Sequence, residues 1–442
     1  MIDLAKLQGG SLRFEPTFPP TPVSLAPQPP GPSDGARPNL VLLAAFLGWM
    51  FDGLEMGIFP LIARPALQEM QSGMGSVSES FVGQWMGIIT AMFLVGAAFG
   101  GLVFGWLGDR IGRVRAMSFA ILVYSLFTGL GYFVHTPLQL GILRFIAALG
   151  MGGEWSLGVA LVAEVWPERF RPLLAGVIGA AANVGIIIIA VIGVILPVTT
   201  SSWRLVILIG AAPALLTFFI RLFVPESQRW QKAAAAGRLQ PLRELLHGGN
   251  LKTLLVAAGL GGVALVGSWG SVQWLPLWAD KMVSGANTDA KAYTQILNGV
   301  GSVVGCLGGA WLGQALGRRA AYFLLCLGSF VVCQWMFRSI NHYGTTFLTA
   351  SFVSGALTAS FYGWLPLYLP EIFPTRVRAT GQGIAFNLGR IIAAVGAVQM
   401  GTLMQTFGGS YSKAGAVITL VYLVGLVLIW FVPETKGRPL PA

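Results

Sequence analysis

The sequence is short of charge. Only 10% of its 442 residues are Asp, Glu, Lys or Arg, and no more than 17 are acidic. Soluble domains carry about 25%. A soluble fold this poor in charge would expose far too much apolar surface. Cysteine and histidine are scarce too, at three residues each. Cys306, Cys326 and Cys333 fall in apolar runs and read as small core residues, which argues against a disulfide framework. His135, His247 and His342 stand apart and build no ligand cluster, so no metal site or other cofactor is expected. P-loop, HExxH and GxSxG patterns are missing, which removes the usual motif-based grounds for ATP use or hydrolysis. The chain is not expected to be an enzyme.

Apolar residues make up 55% of the chain, and the mean hydropathy is +0.72. They fall in runs near 20 residues, the length that crosses a hydrocarbon core roughly 30 Å thick. Twelve such spans are predicted, near 39–66, 81–106, 116–134, 138–164, 173–196, 203–223, 252–279, 292–315, 320–338, 344–370, 379–404 and 413–432. The expected class is an all-α polytopic membrane protein with both termini on one side. Lys and Arg set that side. With the termini cytoplasmic, 20 of the 28 basic residues lie in cytoplasmic segments. Six lie at the external face: Arg64, Arg204, Lys281, Lys291, Arg338 and Lys413. The net charge of +11 therefore reads as membrane topology, and no nucleic-acid partner is expected.

Residues 1–38 are proline-rich (PTFPPTPVSLAPQPPGP) and lack a basic start followed by a short apolar core. They are expected to form a disordered cytoplasmic tail and not a secretory signal. The one long interior loop, 225–251, separates a six-helix half at 39–224 from another at 252–432, with a short tail at 433–442. The halves repeat. WLGDRIGR (106–113) returns as WLGQALGR (311–318), EVWPERFR (164–171) as EIFPTRVR (371–378), and FVPES (223–227) as FVPET (431–435). Three matches in order at nearly constant offset mean two like-oriented six-helix units. One transporter architecture is built this way, with its substrate site near the midplane between the halves.

The motifs also carry a resemblance. GWLGDRIGRVR between spans two and three looks like the signature loop of the major facilitator superfamily, and RFIAALGMGGEW in span four resembles its second Arg–Gly motif. The PES and PETKG segments are similar to those of its sugar-porter and metabolite:proton symporter branches. DGLE in span one, with GGEW and PTRVRATGQGIAFNLGR, looks most like symporters for sialic, aromatic and other organic acids. The resemblance spans 39 to about 438. It implies the major facilitator fold, a small-molecule substrate moved with protons through alternating access, a monomer, and a cell (inner) membrane location.

Five charges lie inside predicted spans. WMFDGLEMGIF carries Asp52 and Glu55 near the midplane, about 18 Å deep at 1.5 Å per residue. One turn apart, they are expected to face the same side. An ionised acid there costs on the order of 2.5–3.5 kcal/mol against lipid, so both must meet a cavity, a base or a proton. Arg144 and Glu154 lie ten residues apart in span four, and Arg390 sits near the middle of span eleven with Asn387 on its face. Three acids against two bases leave one acid free to exchange a proton. Asp52 is the expected proton carrier, with Glu55, Arg144 and Glu154 in support. Arg390 is the expected anion anchor, because a guanidinium holds a carboxylate bidentately and keeps its charge. Helix locking is the rival role for each, and Glu154 stands evenly between the two. Gln273, Trp274, Tyr362 and Trp364 are weaker candidates for lining the site.

At the cytoplasmic ends, Asp109, Arg110 and Arg113 are expected to close a gate against a facing helix, which the resemblance implies is span eleven, while Gln314 and Ala315 leave the second-half motif weaker. By resemblance, Glu164, Arg169, Glu226, Glu371, Arg376 and Glu434 complete that gate's ion-pair network. A sugar or polyol carrier is the second reading, which the midplane charges oppose. A sensor on the same scaffold is the third, and would be expected to carry an appended signalling domain.

Overall fold

The computed structural model describes residues 38–72, 78–166, 170–213, 249–283, 289–373 and 378–438. The proline-rich tail, most of the 225–251 loop, and Arg169, Glu226 and Arg376 lie outside them, as do the side chains of Asp109, Arg113 and Glu164.

The first half contains α1 (Pro38–Ser72), α2 (Glu79–Ile111), α3 (Arg113–Leu130), α4 (Pro137–Val165), α5 (Arg171–Ile195) and α6 (Trp203–Ile209). The second contains α7 (Gly249–Gly270), α8 (Leu275–Val283), α9 (Ala290–Leu316), α10 (Arg318–Ser339), α11 (Thr345–Ile372), α12 (Arg378–Thr406), α13 (Tyr411–Ile418) and α14 (Val421–Leu428). Helices α7 and α8 form one span across a single 3-10 turn, and α13 and α14 form another. Nine spans among the described residues are long and apolar enough to cross a bilayer; α4, α6 and α11 take the other three predicted positions.

The repeat is visible in the backbone. Gly112 (φ 109°) links α2 to α3, and Gly317 (φ 98°) links α9 to α10. Both sit in the positive-φ region where a side chain is strained, which gives the two GR pairs a physical reason to match. Large apolar side chains such as Phe99, Phe133, Ile195, Trp311 and Trp335 point outward, as a lipid-facing surface requires.

The halves meet where α2 packs on α12 and α5 on α9, with α1 touching α8 and α9. Two local features set the site. Helix α4 starts at a capping box: Thr136 Oγ1 accepts from the Gln139 amide, Gln139 Oε1 accepts from the Thr136 amide, and Pro137 opens the first turn. That start places Arg144 two turns into the bundle. In α1, Pro60 has no N–H to give the carbonyl one turn back. The carbonyl so freed, Met56 O, accepts from Gln273 Nε2 of the second half at 3.4 Å, and the adjacent Gly57 O accepts from Gln295 Nε2 at 3.0 Å.

Candidate functional site

A cavity of about 130 Å³ lies between the halves. The first half contributes Trp49, Asp52 and Met56 from α1, Phe93 from α2 and Asn183 from α5. The second contributes Ser268 and Trp269 from α7, Gln273, Asn298 and Ser302, Tyr362 from α11, and Phe386 and Arg390 from α12. Among these described lining residues Asp52 is the one anion and Arg390 the one cation. The cavity is otherwise apolar and aromatic with a few amides and hydroxyls, the make-up of a small-molecule site.

Arg390 is 9% exposed. Its Nη1 donates to Asn387 Oδ1 at 3.2 Å and crosses to the first half to donate to Ala97 O at 3.3 Å. The Phe386 ring lies 5.0 Å from its Cζ. No described carboxylate lies within salt-bridge distance of it, and Asp52 is the acid whose charge acts on it. Asn387 therefore holds the arginine from below and is not itself on the cavity wall.

Asp52 and Glu55 diverge. Asp52 borders the cavity, whereas Glu55 turns into the first half, where Oε1 accepts from Arg144 Nη1 at 2.7 Å and from Thr128 Oγ1 at 3.2 Å. The expected shared face is thus split by packing: α4 and α3 cover the Glu55 side. Phe59 and Phe93 flank the guanidinium of Arg144 at 4.8 and 5.0 Å. Glu154 reaches across to α1, its carboxylate lying where a side chain on Gly48 would be, and it meets Asp52 one turn on. Both carboxylates are buried, and among the described residues neither makes a hydrogen bond to any group but the other. Two acids this close favour a shared proton.

Trp274 does not line the cavity. It is buried behind it, with Nε1 donating to Trp269 O at 3.1 Å. Trp269 takes the wall position. Trp364 donates to Arg318 O at 3.1 Å and is likewise a packing residue. Tyr362 and Gln273 do line the cavity. Sequence reasoning missed Trp49, Asn183, Trp269, Asn298 and Ser302. Trp49 was legible one turn before Asp52, and Asn183 and Asn298 as amides inside apolar runs.

The end that the Lys/Arg count assigns to the outside is tied across the halves. Arg64 of α1 pairs with Asp280 of α8 at 2.7 Å and with Glu79 of α2 at 2.7 Å. Lys291 of α9 pairs with Asp280 at 3.5 Å and donates to Val198 O of the first half at 2.5 Å. Tyr411 Oη donates to Glu79 at 3.4 Å. From sequence alone, Arg64 and Lys291 count only as topology charges, and Asp280, Glu79 and Tyr411 carry no signal. At the opposite end, Arg110 is exposed and lies over Trp106 of its own helix at 4.1 Å. The second half there holds a network of its own: Arg318 meets Glu371 through two bonds of 2.6 and 2.9 Å, and Glu434 accepts the Arg318 and Arg319 amides at 3.0 Å each. Part of the expected tail, 433–436, thereby folds onto α10.

A family model described as Major Facilitator Superfamily matches residues 41–397. A protein of Cupriavidus pinatubonensis described as a "Probable 4-methylmuconolactone transporter" is 30% identical, over 89% of this chain and 90% of its own. The cis,cis-muconate transport protein of Acinetobacter baylyi is 26% identical over 91% and 96%. Among solved structures, a D-xylose-proton symporter superposes with a TM-score of 0.73 at 20% identity, covering 91% of this chain and 99% of that one.

Proposed function

The chain belongs to the major facilitator superfamily, and on that footing we propose that it imports a small organic carboxylate together with protons, as a monomer in a bacterial inner membrane with both termini cytoplasmic. The observation that carries the reading is Arg390: a cavity-wall guanidinium with no described carboxylate in bonding range, near an acid that has no bond to any described base. A substrate carboxylate meets the guanidinium, and Asp52, relieved of that positive charge, takes a proton. Binding of anion and proton are then linked. Relatives named for muconate-type acids support the anion class.

The tied outer end supports a state closed to the outside. In the return state, Asp109, Arg110 and Arg113, with Glu164, Arg169, Glu226 and Arg376, are proposed to close the inner end. Glu371 and Glu434 already serve the second half's own network. The amide-bearing wall of Asn183, Gln273 and Asn298 favours a neutral polyol as the second reading, since amides suit hydroxyls.

The test is uptake of a labelled organic-acid and sugar panel into proteoliposomes, with and without an inward proton gradient. Accumulation of a carboxylate above equilibrium only with the gradient, lost in Arg390→Ala, is expected. Arg390→Lys keeps charge without the fork and should weaken binding by roughly 1.5–3 kcal/mol. Transport of a hexose with affinity unchanged in Arg390→Lys would sink the anion reading.

A further inference from the structure

We propose that Asn298 and Asn183 form a hydrogen-bond-accepting subsite that selects a monocarboxylate bearing a distal hydroxyl and turns away a second carboxylate; the inference rests on the organic-carboxylate reading above.

The cavity runs between two seams. At one, α12 lies against α2 and α7, and Arg390 reaches over to Ala97 O. At the other, α9 lies against α5 and α11. The two seams stand on opposite sides of the cavity, so the cation occupies one end and Asn183, Asn298 and Ser302 the other.

The far end is built to accept. Three side chains at successive turns of α9 donate to three carbonyls at successive turns of α11. Asn298 Nδ2 donates to Ser351 O at 3.0 Å, Ser302 Oγ to Gly355 O at 3.3 Å and Cys306 Sγ to Ala359 O at 3.4 Å. The partner of Asn298 is a carbonyl oxygen, so the amide must turn its NH2 to α11. A Cβ added at Gly355 would lie 2.9 Å from that nitrogen, which is therefore pressed against the helix. Asn298 Oδ1 is left without a partner among the described residues. Across the seam, Asn183 Nδ2 donates to Gly179 O and to Cys306 Sγ at 3.5 Å each, and its Oδ1 is left in the same way. The two amides are neighbours, since a Cβ added at Gly299 would lie 3.6 Å from Asn183 O.

Gln295 shows the difference a cavity makes. It too gives Nε2 to backbone carbonyls, Gly57 O and Ile186 O, but it does not line the cavity, and its Oε1 is sealed in the protein without a partner. The unbonded oxygens of Asn183 and Asn298 keep access to the cavity.

An amide oxygen accepts and cannot donate. A substrate O–H can donate to it while the carboxylate at the other end meets Arg390. A second carboxylate placed there would face lone pairs, and an unpaired buried anion is costly. The wall's other uncharged donors, on Trp49, Trp269, Thr358 and Tyr362, belong to α1, α7 and α11, and none carries the charge that Arg390 brings. Selection thus works by rejecting the diacid as well as by attracting the hydroxyl.

The test is a melting-temperature titration of the purified full-length protein at pH 7. The probes are matched linear acids of four to eight carbons that end in a methyl, a hydroxyl or a second carboxylate, such as hexanoate, 6-hydroxyhexanoate and adipate. A ligand that binds the folded state raises the melting temperature according to its affinity. At the best-fitting length the hydroxy acid should bind at least about fivefold more tightly than the methyl acid and about fiftyfold more tightly than the diacid. A purely apolar end would rank the methyl acid first. Asn298→Leu should bring the hydroxy and methyl acids to within about twofold of each other. Asn183→Lys, which sets a cation among the acceptors, should raise the diacid to at least the level of the hydroxy acid. No hydroxyl preference at any length, with carboxylate uptake still dependent on Arg390, overturns the subsite and leaves the carboxylate reading standing. A preference that survives both Asn298→Leu and Asn183→Leu overturns its assignment to these amides. Failure of the carboxylate reading itself shows differently, as uptake indifferent to Arg390→Ala.

Discussion

The two halves share one fold and differ in what they bury. The sequence repeat aligns Arg144 with Ser351, Glu154 with Phe361 and Tyr124 with Ser329. In the first half these positions hold an ion pair, a carboxyl pair and an unbonded phenol. In the second, Ser351 donates to Phe347 O of its own helix at 2.8 Å, and Phe361 packs between Tyr322 and Tyr422 at 5.1 and 6.1 Å. The second half shows that this helix arrangement needs no buried charge at these aligned positions. Helix locking is therefore a poor reason for the charges of the first, since replacing a buried pair with well-packed apolar groups is often neutral or stabilising. The cavity repeats the contrast: the same offset aligns Arg390 with Asn183, so equivalent points on α12 and α5 face the cavity with a cation and an amide.

The sharpest break of the comparison is Asp52→Asn. Accumulation driven by a proton gradient should fall to simple equilibration, while exchange of substrate across the membrane persists, because exchange need not return an empty carrier. Phe361→Leu, at the second-half counterpart of Glu154, should leave the accumulation ratio as it is. Accumulation at the wild-type level in Asp52→Asn would remove the proton role from that residue.

Next in size is the cost of breaking a pair. Arg144→Gln leaves Glu55 buried without its base and should destabilise the protein by about 3–5 kcal/mol, seen as a lower melting temperature. Ser351→Ala removes only an intrahelical bond and should cost under about 1 kcal/mol. Adding Glu55→Gln to Arg144→Gln should recover part of the loss. Equal costs at the two aligned positions would mean that the halves are stabilised alike after all.

The gates come third. Arg64→Ala removes the Asp280 and Glu79 bonds at once and should open the outer end, lengthening spin-label distances across it. Asp109→Asn should shift the population the opposite way. Gln314→Ala should do little, since the Gln314 side chain only accepts a 3.4 Å bond from Arg318. Matching shifts from Asp109→Asn and Gln314→Ala would contradict a dominant first-half gate.

The fold was legible because spans and repeats are one-dimensional signals. Asp52 and Arg390 were legible because charge in an apolar run is costly anywhere. The parting of Asp52 and Glu55 was not. Residues one turn apart share a broad helix face, and here its edge between the cavity and α3–α4 falls between the two residues. That edge depends on how α1 rolls against its neighbours, which no local pattern encodes. Trp269 and Trp274 were confused for a related reason: a 3-10 turn at Val272–Trp274 changes the helical phase between them. The network at the Arg64 end was not legible because Arg64, Asp280 and Lys291 are far apart in sequence, and near helix ends a charge that pairs looks like one that merely faces water.

The smallest effect concerns Glu434 and asks whether the halves also share an end cap. Burial alone would raise the proton affinity of this carboxyl. The amides of Arg318, Arg319, Lys436 and Thr435 outweigh that and hold its pKa below the ordinary 4.5. A group with a depressed folded pKa adds stability above its unfolded value, and that stability is lost as pH falls through the folded one. Glu434→Gln should therefore cost about 0.5–1 kcal/mol at pH 7, the worth of a partly solvated helix cap. The deficit relative to wild type should hold down to about pH 5 and shrink at lower pH, once the wild-type carboxyl is itself protonated. Melting curves of both proteins between pH 7 and pH 3 measure this. The repeat aligns Glu434 with Glu226, and Gly317–Arg318 with Gly112–Arg113. If the cap is inherited with the motif, Glu226→Gln will show a deficit of the same size and the same acid dependence. If Glu226 instead joins a gate that opens and closes, its deficit will change with the conformational state that a bound substrate favours. The halves would then differ at their ends as they do in their cores.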